Sequence, residues 1–219
     1  MRKMYVTSEE ILGASAAQPA RRGNRTTRVP AILEVAISVF ATKGNAGFTL
    51  RGVATEAGIQ LKTLQHYFNT RDELLRATIA EMTRRYIARY TTIAKNKLLS
   101  PEARLDTIID EIFAELTGPR GHIAGGFALE CWGLAEHDES TRDFFDKNTS
   151  EFHELFVGLV AKLNPTLSAA ECAMRGAQLL SHMFGLVVYI RRAGDTCPDR
   201  DAFRHVTKVV WKAISNASQ

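Results

Sequence analysis

The sequence comprises 219 residues, of which 45% are apolar and 24% charged, with a formal net charge of +4. A chain of this length forms one or two domains and buries enough apolar surface to fold without disulfides or a structural metal. Its composition excludes collagen-like, mucin-like and wholly disordered proteins. The longest apolar stretch, residues 184–190, is too short to span a membrane and ends in Arg191 and Arg192.

Cysteine usage and the N-terminus bear on location. Cys131, Cys172 and Cys197 are odd in number and far apart, and no Cys-x-x-Cys pair occurs. Thiols in a reducing compartment fit this pattern better than a disulfide framework. The first twenty residues lack the apolar core of a signal peptide, because residues 7–10 read Thr-Ser-Glu-Glu. We therefore expect a cytoplasmic protein with no membrane partner.

Charge is distributed unevenly along the chain. Residues 1–95 carry 15 Lys and Arg against 7 Asp and Glu, whereas residues 96–219 carry 13 against 17. A basic first part followed by a mildly acidic remainder suggests that only the first part meets a polyanion such as nucleic acid. On charge alone, a chance imbalance on a solvated surface is an equally open interpretation.

Helical spacing of apolar residues recurs along the chain, and no segment alternates for long enough to predict a strand. Residues 1–24 show no periodicity and predict a flexible basic tail. The remainder predicts an all-α fold of about nine helices. Their expected ranges are 27–43, 50–57, 60–67, 71–95, 101–117, an interrupted region at 121–136, 140–163, 169–192 and 199–215.

Caps and helix breakers support these boundaries. Gly44 and Gly58 follow predicted helices and are expected to end them. Thr49 is a good N-cap for the helix that follows it. Thr70-x-x-Glu73 and Ser168-x-x-Glu171 have the spacing of capping boxes, in which each end satisfies a backbone N–H of the other.

Residues 47–75 have the spacing of a helix-turn-helix, with Gly58 at a turn that tolerates positive φ. Apolar and small side chains are placed to pack the two short helices on the first helix. They are Val53, Ala54, Ala57, Ile59, Leu64 and Phe68. The exposed part of the second short helix then presents donors, acceptors and one aromatic side chain to a DNA major groove. These residues are Lys62, Thr63, Gln65, His66 and Tyr67.

With these residues the chain resembles the tetracycline-repressor (TetR) family of bacterial transcription regulators. The segments that carry the resemblance are Phe40-Ala41-Thr42-Lys43-Gly44, Thr49, Val53-Ala54-Thr55-Glu56-Ala57-Gly58-Ile59, Thr63-Leu64-Gln65-His66-Tyr67-Phe68 and Arg71-Asp72-Glu73-Leu74-Leu75. The resemblance covers residues 28–76. It implies a three-helix DNA-binding domain over 25–75 and a helical effector-binding and dimerisation domain over 76–219.

Two positions depart from the family pattern and bear on DNA recognition. Gln65 replaces a Tyr that usually reaches a phosphate, and a glutamine can instead read an adenine edge. Arg71 replaces the usual Lys and keeps its charge. We expect base contacts from Lys62, Gln65 and His66. Backbone and minor-groove contacts are expected from Thr49, Arg51, Thr63, Tyr67, Arg71, Arg25 and Arg28, with a guanine as the other possible contact of Arg51. A solvated surface role is the alternative for each, and helix packing for His66.

In the second part of the chain, residues 121–136 are the most pocket-like, because three glycines leave room beside apolar side chains. Aromatic and polarisable residues are the candidate lining, with ordinary core packing as the alternative. They are Tyr86, Phe113, Phe127, Cys131, Trp132, Phe152, Phe156 and His182. Glu130 is a possible inward charge among few, so a mainly apolar effector is favoured.

The helix over 169–192 is apolar on two sides, and a second copy of the chain is the simplest partner for its outer side, together with the helix over 199–215. A central helix buried within a single subunit is the alternative. Together with these patterns, the resemblance to the TetR family implies a homodimeric repressor that a small effector releases from a palindromic operator, with the helix over 71–95 as the lever. A DNA-binding protein that works without a small ligand is the alternative. No catalytic motif, metal-ligand spacing or phosphate-binding loop is present, so neither an enzyme nor a cofactor is expected.

Overall fold

A computed structural model describes residues 25–217, in which α-helices are joined by short turns and no strand occurs. The helices are α1 (Arg25–Gly47), α2 (Leu50–Glu56), α3 (Leu61–Tyr67), α4 (Arg71–Ala94), α5 (Pro101–Thr117), α6 (Gly121–Ala135), α7 (Glu139–Leu163), α8 (Ala169–Ala193) and α9 (Arg200–Asn216). The predicted all-α class and the nine helices are confirmed for this part of the chain. The predicted tail, residues 1–24, lies outside the described residues. Within the described range, no helix combines the length and the apolar character that crossing a membrane requires.

Side-chain caps begin several helices as the sequence predicts. The Thr49 hydroxyl accepts the Gly52 N–H at 3.0 Å. Ser168 and Glu171 form a complete capping box at the start of α8. At α4 the Thr70 hydroxyl accepts the Glu73 N–H, but the Glu73 carboxylate accepts the N–H of Asn69, one residue before the cap.

Two predicted boundaries differ from the structure. α1 breaks at Gly44, where φ is 67°, but helical hydrogen bonding resumes and continues to Gly47. The region predicted as an interrupted helix is a single helix, α6. A Cβ at Gly126 would lie 2.6 Å from the Ala41 carbonyl oxygen, so this glycine allows α6 to cross α1 closely.

The buried side chains form two cores. The first joins α1, α2, α3 and the start of α4, and it includes Phe127 and Cys131 from α6. The second joins the end of α4 with α5, α7, α8 and α9 around Trp211. α4 runs through both cores, and α6 brings side chains of the second part of the chain against α1, on which the helix-turn-helix packs. The fold therefore places the two parts in direct contact.

Candidate nucleic-acid interface and cavity

The second helix of the helix-turn-helix, α3, is anchored by one face and open on the other. Leu64 is buried and is followed by the buried Phe68 at the helix end. Gly58 adopts φ 63° in the turn, as predicted. The outward face carries exposed and half-buried polar side chains in the positions that the sequence predicts. The exposed ones are Lys62, Gln65 and His66, and the half-buried ones are Thr63 and Tyr67.

Residues of α1 and α2 flank this face. Arg51 is exposed on α2, beside Thr49, whose hydroxyl is occupied as the N-cap. Arg25 is exposed at the start of α1. Arg28 is half-buried and already engaged within the protein. The start of α1, α2 and α3 thus each present an exposed cation, at Arg25, Arg51 and Lys62.

Arg71 has a structural role that sequence reasoning does not reveal. Its Nε donates to the Phe48 carbonyl at 2.9 Å, and its Nη2 donates to the Asn45 carbonyl at 2.7 Å and also to the Asn45 side chain. Nη1 pairs with Asp72 at 3.1 Å. The guanidinium therefore ties α4 to the end of α1 and to Phe48, which follows it, and only part of the guanidinium remains available to a phosphate.

A cavity of about 130 Å³ lies between α4, α5, α6, α7 and α8. Five of the eight candidate residues from the sequence line it: Tyr86, Phe127, Cys131, Trp132 and Phe152. The other three do not. Phe113 packs edge-on against Phe203 in the second core, and Phe156 packs against Trp211. His182 lies on the exposed side of α8.

The cavity wall also includes residues that sequence reasoning missed. They are Tyr90, Phe145 and Phe184, which are aromatic, and Glu115, Asn148, Thr83 and Thr149, which are polar. Their positions depend on how α4, α5, α7 and α8 pack together, for which helical periodicity gives no signal.

The polar edge of the cavity is formed by Glu115, the single charged side chain among the described residues that line it. Glu115 accepts from the Tyr86 hydroxyl at 3.3 Å and pairs with Arg89 at 2.7 Å. Burial, reinforced by the charge of Glu115, raises the pKa of the Tyr86 and Tyr90 phenols. Burial also raises the pKa of the Cys131 thiol. The wall is therefore uncharged at neutral pH apart from this one ion pair.

Residues 32–78 match the family described as bacterial regulatory proteins, tetR family. This match spans the helix-turn-helix whose geometry is described above. Residues 32–78 are therefore a DNA-binding domain of the tetR-family type, and the chain is similar to helix-turn-helix transcriptional regulators rather than to enzymes.

Relatives along most of the chain agree with this assignment. The HTH-type transcriptional regulator BetI of Paraburkholderia phymatum is 29% identical over 185 residues, which cover 83% of this chain and 90% of that protein. A TetR transcriptional regulator from Legionella pneumophila superposes with a TM-score of 0.68 at 19% identity, covering 87% of this chain and 99% of that one. A protein from Saccharomonospora viridis, crystallised with choline, superposes with a TM-score of 0.70 at 16% identity, covering 84% and 95% of the two chains. These two superpositions show a shared fold.

Ion pairs join the two parts of the chain. Glu34 of α1 accepts from Arg85 of α4 at 2.6 Å and from Arg120, just before α6, at 2.6 Å. Hydrogen bonds from these two arginines hold the pKa of Glu34 below its ordinary value. Glu81 of α4 extends the network by accepting from Arg84 and Arg85. α1, on which the helix-turn-helix packs, is thus held against α4 and the start of α6 by ion pairs as well as by apolar packing.

Glu130 belongs to the same contact and not to the cavity. Sequence reasoning raised it as a possible inward charge, but it does not appear in the cavity wall. Its carboxylate accepts the backbone N–H of Asn45 at 2.9 Å. α6 therefore presents apolar residues to the cavity and a carboxylate to the end of α1.

Proposed function

We propose that this tetR-family regulator is a homodimeric, cytoplasmic repressor that leaves a palindromic operator when a small effector enters the aromatic cavity. One observation carries the proposal. Phe127 and Cys131, two of the residues that line the cavity, also belong to the core on which the helix-turn-helix is built. An occupant of the cavity therefore acts on the packing that positions α3.

Lys62, Gln65 and His66 are the residues that we assign to base edges, since all three are exposed on α3. Lysine and glutamine have side-chain donors suited to purine edges in the major groove. Thr49, Thr63, Arg51, Tyr67 and the remaining N–H of Arg71 are assigned to phosphates, and Arg25 and Arg28 to the adjacent minor groove. Two copies of α3 spaced by one DNA turn, roughly 34–36 Å, would read the two halves of a palindrome.

The outer faces of α8 and α9 support the dimer. Four apolar side chains there are between 41% and 55% exposed, and Met174 is 67% exposed. The four are Val188, Tyr189, Val206 and Val209. Their positions match the two helices that the sequence assigns to the dimer interface. A second copy of the chain would remove this apolar surface from water, which favours association.

Sedimentation of a Val206→Glu, Val209→Glu double variant tests the dimer. These two residues lie three positions apart on α9 and share a face, so the variant puts two like charges into each half of the interface. We expect a monomer, whereas Leu98→Glu, at a side chain 95% exposed in the turn after α4, should leave the dimer intact. A dimer that persists in the double variant would contradict this interface.

The cavity supports a small effector with a largely apolar body. Its volume of about 130 Å³ is close to that of apolar cavities of about 150 Å³ that bind benzene. It is smaller than the several hundred Å³ of a typical drug-sized site. The lever in this proposal is α4, which lines the cavity with Tyr86 and Tyr90 and begins at Arg71, beside the helix-turn-helix. An effector that prefers a different position of α4 lowers DNA affinity by its difference in affinity for the two states.

A small organic cation is a second candidate effector, favoured by the composition of the wall. Seven of the described lining residues are aromatic, and Glu115 supplies the single carboxylate. Aromatic faces attract cations, most strongly when water is excluded. The similarly folded Saccharomonospora viridis protein was crystallised with choline.

Choline and its uncharged carbon isostere, 3,3-dimethylbutan-1-ol, separate the two effector classes. Trp132 lines the cavity and reports binding by fluorescence, while Trp211 lies fully buried in the second core. A Trp132→Phe variant identifies which indole responds. An apolar site predicts that the alcohol quenches Trp132 and releases DNA, and a cation site predicts that choline alone does so. If neither compound quenches Trp132 or releases DNA, both candidate classes fail for molecules of this size and regulation without a small ligand becomes the better account.

A further inference from the structure

We propose that Glu130 is the residue through which the effector domain positions the helix-turn-helix for DNA. The inference deepens the proposed function and rests on it. Glu130 lies on α6, distant in sequence from the DNA-binding residues, and its carboxylate accepts the N–H of Asn45 at 2.9 Å. Asn45 lies in residues 44–48, which comprise the end of α1 beyond its kink at Gly44 and the residue that follows α1; we call this segment the α1–α2 turn, and it leads into α2.

The backbone of the α1–α2 turn is shaped to receive this carboxylate. Gly44 adopts φ 67°, a conformation that side chains disfavour. A Cβ at Gly44 would lie 3.0 Å from Oε2 and 3.1 Å from Oε1 of Glu130. Both the left-handed backbone and the absent side chain allow the carboxylate to approach the turn closely.

The turn is held from its other side by Arg71. That guanidinium binds the carbonyl groups of Asn45 and Phe48 while Glu130 binds the Asn45 N–H. Phe48 is fully buried and packs edge-on against Phe40, with ring centroids 5.7 Å apart. The α1–α2 turn is thus hydrogen-bonded to α4 on one side and to α6 on the other. Its position determines where α2 begins.

α6, which carries Glu130, also forms part of the cavity wall. Phe127 and Cys131 of α6 line the cavity, and Glu130 immediately precedes Cys131. The Phe127 ring also packs edge-on against Phe40 at 5.3 Å. A small displacement of α6 by a cavity occupant therefore carries the Glu130 carboxylate with it and shifts the α1–α2 turn.

Substitution of Glu130 distinguishes a positioning role from a purely electrostatic one, because the two roles predict opposite changes in the affinity for DNA. Removing a carboxylate from a DNA-binding protein strengthens its attraction to phosphates if charge alone matters. If Glu130 positions the turn, removing it weakens specific binding. Glu136, exposed at the end of the same helix, is the matched control for the loss of one negative charge.

The experiment measures the affinity of full-length wild-type, Glu130→Ala, Glu130→Gln and Glu136→Ala dimers for the selected operator and for a scrambled duplex of equal length. We expect Glu130→Ala to bind the operator about ten-fold more weakly and the scrambled duplex no more weakly than wild type. Glu130→Gln keeps an oxygen acceptor and should restore most of the operator affinity. Thermal melting of each variant shows whether the protein remains folded at the assay temperature.

Two results would overturn the proposal. One is operator binding by Glu130→Ala that equals or exceeds that of Glu136→Ala. The other is a Glu130→Gln variant as weak as Glu130→Ala, since the acceptor would then be irrelevant. If wild type itself does not distinguish the operator from the scrambled duplex, the proposed function fails instead, so the two failures are distinguishable.

Discussion

The close crossing of α6 over α1 predicts that two glycines of one helix respond oppositely to alanine. At Gly126 an alanine Cβ would meet the Ala41 carbonyl oxygen at 2.6 Å, about 0.8 Å inside the 3.4 Å at which ordinary contact begins. The obstacle is backbone, so the two helices must separate. Overpacking of this kind costs about 1–3 kcal/mol, against about 0.5–1 kcal/mol regained from the better helix propensity of alanine. We expect Gly126→Ala to lower the free energy of unfolding by about 1–2 kcal/mol.

Gly133 is the matched control, because it lies in α6 and a Cβ added there would have nothing within 4 Å. Gly133→Ala should raise the free energy of unfolding by about 0.5–1 kcal/mol. Urea denaturation followed by circular dichroism measures both variants, with midpoints moving in opposite directions. If Gly126→Ala is as stable as Gly133→Ala, α6 and α1 are not in close contact at Gly126. Effector binding could then not be transmitted to α1 through this contact.

The ion pairs and the exposed face of α3 lead to three further predictions. Arg71→Lys keeps the charge but cannot bond Asn45 and Phe48 together, so both the melting temperature and operator affinity should fall; unchanged melting would contradict the structural role. Because Arg85 and Arg120 lower the pKa of Glu34 below its ordinary 4.5, this carboxylate stabilises the folded state above that pH and loses its effect as pH falls through its folded-state pKa. Glu34→Gln should therefore be less stable than wild type at pH 7, and urea denaturation should show this difference shrinking as the pH falls below the ordinary 4.5 and through the lowered pKa of Glu34. A difference in stability that does not depend on pH would argue against the ion pairs. Lys62→Ala should leave the melting temperature unchanged and relax base preference at one operator position, as read by competition with single-base variants, whereas an equal loss on all sequences would mean a phosphate contact.

Local signals predicted most of the fold. Apolar periodicity located the helices, and Thr49, Gly58 and Ser168 acted as the cap, turn and capping-box residues that their chemistry suggests. The errors fall where tertiary contact overrides local preference. The glycines of α6 were expected to interrupt a helix, but a neighbouring helix needs the space at Gly126.

The exposed face of α3 was predictable, because a short helix with one buried leucine leaves few alternatives for its other side chains. The cavity was predictable only in part. Phe113, Phe127, Phe152 and Phe156 all lie on the apolar faces of their helices. The packing of the helices against one another decides that Phe127 and Phe152 line the cavity and the other two do not. The contacts of Arg71 and Glu130 join residues far apart in sequence, and charge patterning within one helix gives no indication of them.

Sequence-specific DNA binding is the central claim, and it is tested most directly by retaining sheared DNA of the source genome on the purified protein at two salt concentrations. The retained fragments are then sequenced. We predict enrichment of one inverted repeat, with half-site centres about 10 base pairs apart or a multiple of that spacing, and enrichment that persists at the higher salt. Uniform retention of all fragments, lost as salt rises, would reveal only electrostatic attraction to phosphates and would contradict the claim.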